Sequence, residues 1–150
     1  MEQISFTLLG GSGFIGTKVA AQLADKQYRF KIADISKSEQ FGDKHYYADV
    51  RSKESLEKGL RESVVINLAA IHRDDFIDPD EYYATNVEGA KILCQVCEEK
   101  GINKIVFTSS VAVYGFAPSG TGEDGRINPF NEYGRTKALA EDVYRDWRRR

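Results

Sequence analysis

Tyr133 and Lys137 lie four positions apart, and Thr108-Ser109-Ser110 precedes them after a short apolar run. On a helix, residues at that spacing share a face. A phenol ionises near pH of about 10 when unperturbed. A neighbouring ammonium favours the phenolate and lowers that value. Tyr133 is then able to exchange a proton with an alcohol near neutral pH. A serine hydroxyl at a strand end can hold the same oxygen. Tyr-x-x-x-Lys alone is a weak signal, because both residues are common on helices. It gains weight from the serines and from a second motif near the start of the chain.

That second motif is Gly10-Gly11-Ser12-Gly13-Phe14-Ile15-Gly16. It follows an apolar run and opens a segment with helical spacing. Gly10 permits a sharp turn, Gly13 leaves no side chain between backbone and a diphosphate, and Gly16 allows close packing of helix on sheet. The helix beginning at Phe14 and Ile15 offers unpaired N–H groups and a positive dipole end. The spacing reads as Gly-x-x-Gly-x-x-Gly from Gly10, and as Gly-x-Gly-x-x-Gly from Gly11. Asp34 follows at the end of the next apolar run. A carboxylate there can accept from the ribose hydroxyls of an adenosine, which favours NAD over NADP. Lys37 keeps NADP as a minor alternative, and a helix cap or loop charge is the lesser alternative for Asp34. A bound nicotinamide ring, being cationic, would add to the ammonium's effect on Tyr133.

These groups need elements to carry them. Ile4 to Leu9 reads as a buried strand, and Phe14 to Leu23 as a helix through Ile15, Val19, Ala20 and Leu23. Phe30 to Ile35 is a second strand, His45 to Val50 a weaker third, and Ser52 to Leu60 a helix. Val64 to Ala69 is a fourth strand. Glu81 to Glu99 is a long helix that Gly101 should stop. Ile105-Val106-Phe107 centres a fifth strand, Phe116 to Pro129 is loop, and Tyr133 to Arg149 is the last helix. Alternating strands and helices predict an α/β fold, a parallel sheet with helices on both faces. The first strand should be central, because its end carries the glycine motif.

Composition excludes several classes. The chain has 150 residues, 41% hydrophobic and 29% charged, which is ordinary for a folded domain. A net charge of -2 gives no reason to expect nucleic acid or a membrane surface as partner. No apolar run is long enough to span a bilayer, and no secretory leader is visible, so the cytoplasm is the expected location. Cys94 and Cys97 lack a second pair at metal-ligand distance, so buried packing is expected and no metal site. His45 starts a strand with no evident partner. The Arg148–Arg150 run reads as a solvated helix end, while Tyr144 and Trp147 suit helix packing. The chain stops within a helix, so the natural polypeptide is expected to continue.

Taken together the motifs resemble the extended short-chain dehydrogenase/reductases, and within them the nucleotide-sugar epimerases and dehydratases. The resemblance rests on Gly10 to Gly16, Asp34, Asp49-Val50, Asn67-Leu68-Ala69-Ala70, Asn86 within Tyr82 to Gly89, Ser109 to Gly115, and Tyr133 with Lys137. It implies a Rossmann-like doubly wound parallel sheet of order 3-2-1-4-5. It implies NAD held by Gly10, Gly13, Phe14, Ile15, Gly16, Asp34, Asp49, Val50, Leu68, Ala69, Ala70, Asn86 and Lys137. It implies catalysis by Ser110, Tyr133 and Lys137, with Tyr133 taking a proton from a sugar hydroxyl as hydride leaves the same carbon. Lys137 would bind the nicotinamide ribose and tune Tyr133. Residues 1–150 would then be an NAD-binding domain whose substrate-binding lobe lies further along. A homodimer through helices 81–99 and 133–149 is expected by the same analogy.

The reaction is less constrained than the cofactor. Dehydratases of this kind carry Asp-Glu after the catalytic hydroxyl, whereas Val111-Ala112 stands here. Neither side chain can move the proton needed to expel water. Epimerisation through a 4-keto sugar is the leading expectation. A nucleotide-sugar reductase or dehydrogenase, and a non-catalytic NAD-sensing scaffold, stay open. Ile71-His72-Arg73-Asp74-Asp75 departs from a typical galactose epimerase. It reads either as a contact to substrate or nicotinamide through His72, Arg73 or Asp75, or as a solvated loop with internal charge pairing.

Overall fold

Thr7, Leu8 and Leu9 are all fully buried, with no alternation between faces. Continuous burial of that kind belongs to a central strand of a parallel sheet covered on both sides. The computed structural model describes residues 4–72 and 78–149 and gives this sheet five parallel strands. They are β1 (Ser5–Leu9), β2 (Arg29–Asp34), β3 (His45–Tyr47), β4 (Val64–Asn67) and β5 (Ile105–Phe107). The order is β3-β2-β1-β4-β5. Leu8 pairs with Ile32 on one side and Ile66 on the other, so β1 is central as the glycine motif requires. Chain direction across the sheet reverses between β3 and β4, which makes the end of β1 a topological switch point. This is a Rossmann-like arrangement, with the strand order expected from the sequence.

The helices are α1 (Phe14–Asp25), α2 (Lys53–Gly59), α3 (Pro79–Tyr82), α4 (Gly89–Glu99) and α5 (Glu132–Arg148). Helix α1 buries Ala20 and Leu23 against Leu8, Phe30 and Ile32, with Phe6, Val19, Phe41 and Ile66 at the margin. Burial of side chains of this size stabilises the layer by about 1.5–3 kcal/mol each. Helix α2 starts at Ser52, whose hydroxyl accepts from Ser55 N–H at 3.2 Å. Asn131 caps α5 in the same way, accepting from Gly134 N–H at 2.8 Å.

The chain forms two compact units. The first holds the residues up to Ala69 together with Ile92–Thr108, and the second holds Ala70–Lys91 with Ser109 onward. The sheet, the glycine turn and Asp34 belong to the first. The serine turn, α3, α5 and the start of α4 belong to the second.

Several elements differ from the sequence reading. The third strand ends at Tyr47 instead of Val50, and the fourth at Asn67 instead of Ala69. Asn67 Oδ1 accepts from Ala69 N–H at 3.1 Å, an Asx-type turn that ends β4 early. The helix expected over 81–99 begins at Pro79 and contains a π-helical segment, Tyr83–Glu88. A 3-10 turn, Val111–Tyr114, follows Ser110. His45 does have a partner: its Nε2 lies 3.1 Å from the Asp34 carbonyl oxygen. Cys94 and Cys97 are buried as expected, and burial pushes the Cys97 thiol up to about 12.

Candidate functional site

In the first unit the glycine turn is set by backbone geometry. Gly10 has φ +75, and a Cβ there would meet the Ala69 amide nitrogen at 2.5 Å. Only glycine fits both the left-handed conformation and that approach. A Cβ on Gly16 would meet the Gly11 carbonyl oxygen at 2.4 Å, so helix and turn are in direct contact. Gly13 is different. A Cβ there would find only the Gly10 oxygen, at 3.7 Å, so the space above it is open. Helix α1 starts at Gly13 with no side-chain cap and no acid in its first turn. Its first free N–H groups belong to residues beginning at Phe14, which is 82% exposed. An open cradle with uncapped donors fits an anionic diphosphate.

Asp34 is tied to this turn. Its two carboxylate oxygens accept from Ser12 N–H and from Ser36 N–H, each at 2.9 Å. Ser12 Oγ donates to the Ser36 carbonyl at 2.7 Å, closing the loop from a second direction. A carboxylate has about four acceptor sites, so Asp34 retains capacity for ribose hydroxyls. Lys37 is exposed nearby in sequence.

Asp49 is engaged by Arg51, with Nη2 at 2.7 Å and a backbone N–H at 2.9 Å. The Arg51 guanidinium holds that carboxyl below its usual range. Val50 is buried, so any ligand contact it makes runs through its backbone. Leu68 N–H donates to the Leu9 carbonyl at 2.8 Å, which brings the β4 exit beside the β1 exit.

In the second unit, Ser110 is extended and its Oγ accepts from Ala112 N–H at 3.1 Å. That bond orients the oxygen and leaves its hydrogen to donate. Tyr133 opens α5 and is partly buried. A Cβ on its neighbour Gly134 would meet the Ala112 carbonyl oxygen at 2.4 Å. The helix bearing Tyr133 and Lys137 therefore lies directly against the turn that starts at Ser110. Lys137 is only 2% exposed. Burial pulls its ammonium down to about 8, and the Glu141 carboxylate partly offsets this.

Asn86 is 5% exposed and sits on the π-helical segment. Its Oδ1 accepts from Ile71 N–H at 2.9 Å. Its Nδ2 donates to the Ile71 carbonyl at 3.1 Å and to Thr136 Oγ1 at 3.0 Å. Both amide hydrogens are thus spent on the protein, and Asn86 joins the strand-exit loop to α5 beside Lys137. Thr136, Gly134 and Glu141 were not singled out from sequence. Only the Gly next to Tyr133 offered a local clue. Ala70 is partly buried and His72 exposed. Arg73, Asp74 and Asp75 lie outside the described residues. No cluster of potential metal ligands exists among the described residues.

A switch-point glycine cradle, an acidic residue at the end of β2 and a serine-tyrosine-lysine group are the pattern of a dinucleotide-binding α/β class. The pattern of the NAD dependent epimerase/dehydratase family matches residues 6–150, and the chain belongs to that family. A 4-epimerase of N-acetyl-alpha-D-glucosaminyl-diphospho-ditrans,octacis-undecaprenol from Escherichia coli O157:H7 is 38% identical, over 93% of this chain and 42% of its own. UDP-glucose 4-epimerase 4 of Oryza sativa subsp. japonica is 35% identical, over 91% of this chain and 43% of its own. The crystal structure of UDP-glucose 4-epimerase from Brucella ovis in complex with NAD superimposes with a TM-score of 0.87 at 30% identity, covering 96% of this chain and 47% of that one. The chain thus spans about half the length of the relatives it matches.

Proposed function

We propose that this chain is the NAD-binding part of a 4-epimerase acting on a nucleotide-activated sugar. The observation that carries the reading is the seating of Gly134 against Ala112, which sets Tyr133 and Lys137 against the Ser110 turn. The backbone of Gly10, Gly13, Phe14, Ile15 and Gly16 receives the diphosphate, and Asp34 receives the adenosine ribose. Asp49 and Val50 lie toward the adenine, with Leu68, Ala69 and Ala70 along the rest of the dinucleotide. Asn86 contributes by holding Ile71 in place.

When bound, NAD would supply the acceptor for the hydride of the sugar carbon and the donor that restores it. Tyr133 takes the proton from the C4 hydroxyl, and Ser110 donates a hydrogen bond to the same oxygen. Lys137 stabilises the phenolate and binds a ribose hydroxyl. Rotation of the 4-keto sugar presents its other face, and Tyr133 returns the proton. Val111 and Ala112 offer no acid or base for dehydration. A twofold pairing through residues 81–99 and 133–149 belongs to the same reading. Among the described residues no helix is long and apolar enough to cross a membrane.

The Escherichia coli relative favours one variant of this reading, in which the diphosphate on the sugar carries a polyprenyl chain instead of a nucleoside. Both substrates present a diphospho-hexose to the same residues. The test incubates the full-length protein with UDP-, GDP- and dTDP-sugars and with an undecaprenyl-diphosphate sugar, resolving C4 epimers by NMR. At least one nucleotide sugar is expected to convert. Tyr133→Phe should lower kcat by about 10²–10⁴-fold while NAD affinity stays. Conversion of only the lipid-linked sugar would move the substrate class, and full activity in Tyr133→Phe would sink the mechanism.

A further inference from the structure

Glu141 stands one helical turn beyond Lys137 on α5. Its side chain is only 18% exposed. Oε1 accepts a hydrogen bond from Ser109 Oγ, which lies 32 positions earlier in the chain. Oε2 accepts from Arg145 Nη2 at 2.5 Å. Arg145 is also held by Asp142 at 2.8 Å, so the carboxylate is oriented from both sides. Ser109 is the residue before Ser110. In extended chain, successive side chains project in opposite directions. Ser110 is extended and its Oγ takes the Ala112 N–H, while its neighbour Ser109 is committed to Glu141. The bond therefore fixes both the position and the facing of the serine turn on α5. Lys137 meanwhile is a buried cation on the same helix face, and residues at i and i+4 are neighbours there. Glu141 acts on it as an opposite charge.

We propose that Glu141 is a positioning residue of this site: through Ser109 it sets where the Ser110 hydroxyl points relative to Tyr133, and along α5 it supplies a counter-charge to Lys137. This rests on the epimerase reading above. Glu141 touches neither substrate nor cofactor and acts only through its neighbours. Arg145 is largely exposed, and exposed ion pairs contribute little to stability. The effect of losing Glu141 should therefore appear in turnover more than in unfolding.

The experiment compares Glu141→Ala, Glu141→Asp, Ser109→Ala and the Ser109→Ala/Glu141→Ala double variant in the full-length protein. Glu141→Ala should lower kcat about tenfold with KM and NAD affinity little changed, as expected for loss of one oriented bond. Glu141→Asp should restore part of the loss. The double variant should be no worse than Glu141→Ala, since coupled residues are not additive. Wild-type kcat in Glu141→Ala, or additive losses in the double variant, would overturn the proposal. A second measurement does not depend on turnover. Hydrogen exchange at the Ala112 amide, bonded to Ser110 Oγ, should quicken about tenfold in Glu141→Ala. Unchanged exchange would overturn the clamp even in an inactive protein. Absence of turnover in the wild type would instead count against the epimerase reading.

Discussion

In the proposed mechanism Lys137 serves chemistry at the expense of folding. Burial lowers its ammonium from 10.5 to about 8. A lysine whose folded value lies below its unfolded value costs stability. That cost is in full force below about pH 8 and is relieved as pH rises toward the unfolded value. Lys137→Met keeps the stem and removes the charge. It should abolish turnover yet match or exceed the wild type in Tm at pH 7. Between pH 8 and 10.5 the wild type should gain on the variant, measured as the difference in Tm. A Tm for Lys137→Met far below wild type at pH 7 would show that the ammonium stabilises the fold instead. Tyr133 and Lys137 stood out as candidates by local spacing, and Ser110 was picked from the strand-end serines only through resemblance. Thr136 and Glu141 did not stand out, since their value lies in bonds to Asn86 and Ser109, 50 and 32 residues away. Asn86 was legible only through resemblance. Its bonds to Ile71 and Thr136 depend on contacts that no periodicity encodes.

Among the elements, α5 and the 3-10 turn are held together by the absence of a side chain. Gly134→Ala places a Cβ 2.4 Å from the Ala112 carbonyl oxygen, and backbone cannot swing aside as a side chain can. Overpacking of this kind costs about 1–3 kcal/mol. The variant should lose Tm and lose kcat together, while NAD affinity measured by calorimetry changes little, because the glycine cradle belongs to the other unit. Normal kcat in Gly134→Ala would show that the spacing between α5 and the turn is not critical. The strands and long helices were readable from apolar periodicity. The early ends of β3 and β4 were not, because the side chains of Asp49 and Asn67 accept from backbone N–H groups two residues on and turn the chain there. The π-helical segment carries ordinary helical residues, and nothing local distinguishes Tyr83–Glu88 from α-helix. Such segments often mark functional sites, and this one carries Asn86.

At the scale of the whole chain, the central place of β1 followed from one motif, and the full strand order from the family resemblance. A glycine turn at the end of β1 demands a central strand with a reversal beside it, and the sheet has that order. The division into two compact units was not foreseen, because both units are assembled from segments distant in sequence. On the proposed reading, a protein built on this chain oxidises C4 of an activated sugar and returns the same hydride to the opposite face. The direct measurement uses full-length protein, NAD and a substrate deuterated at C4, followed by NMR of the product. The expected product is a C4 epimer that keeps deuterium on C4, with no net NADH. Deuterium lost to solvent, or NADH accumulating in step with a keto product, would contradict that reading.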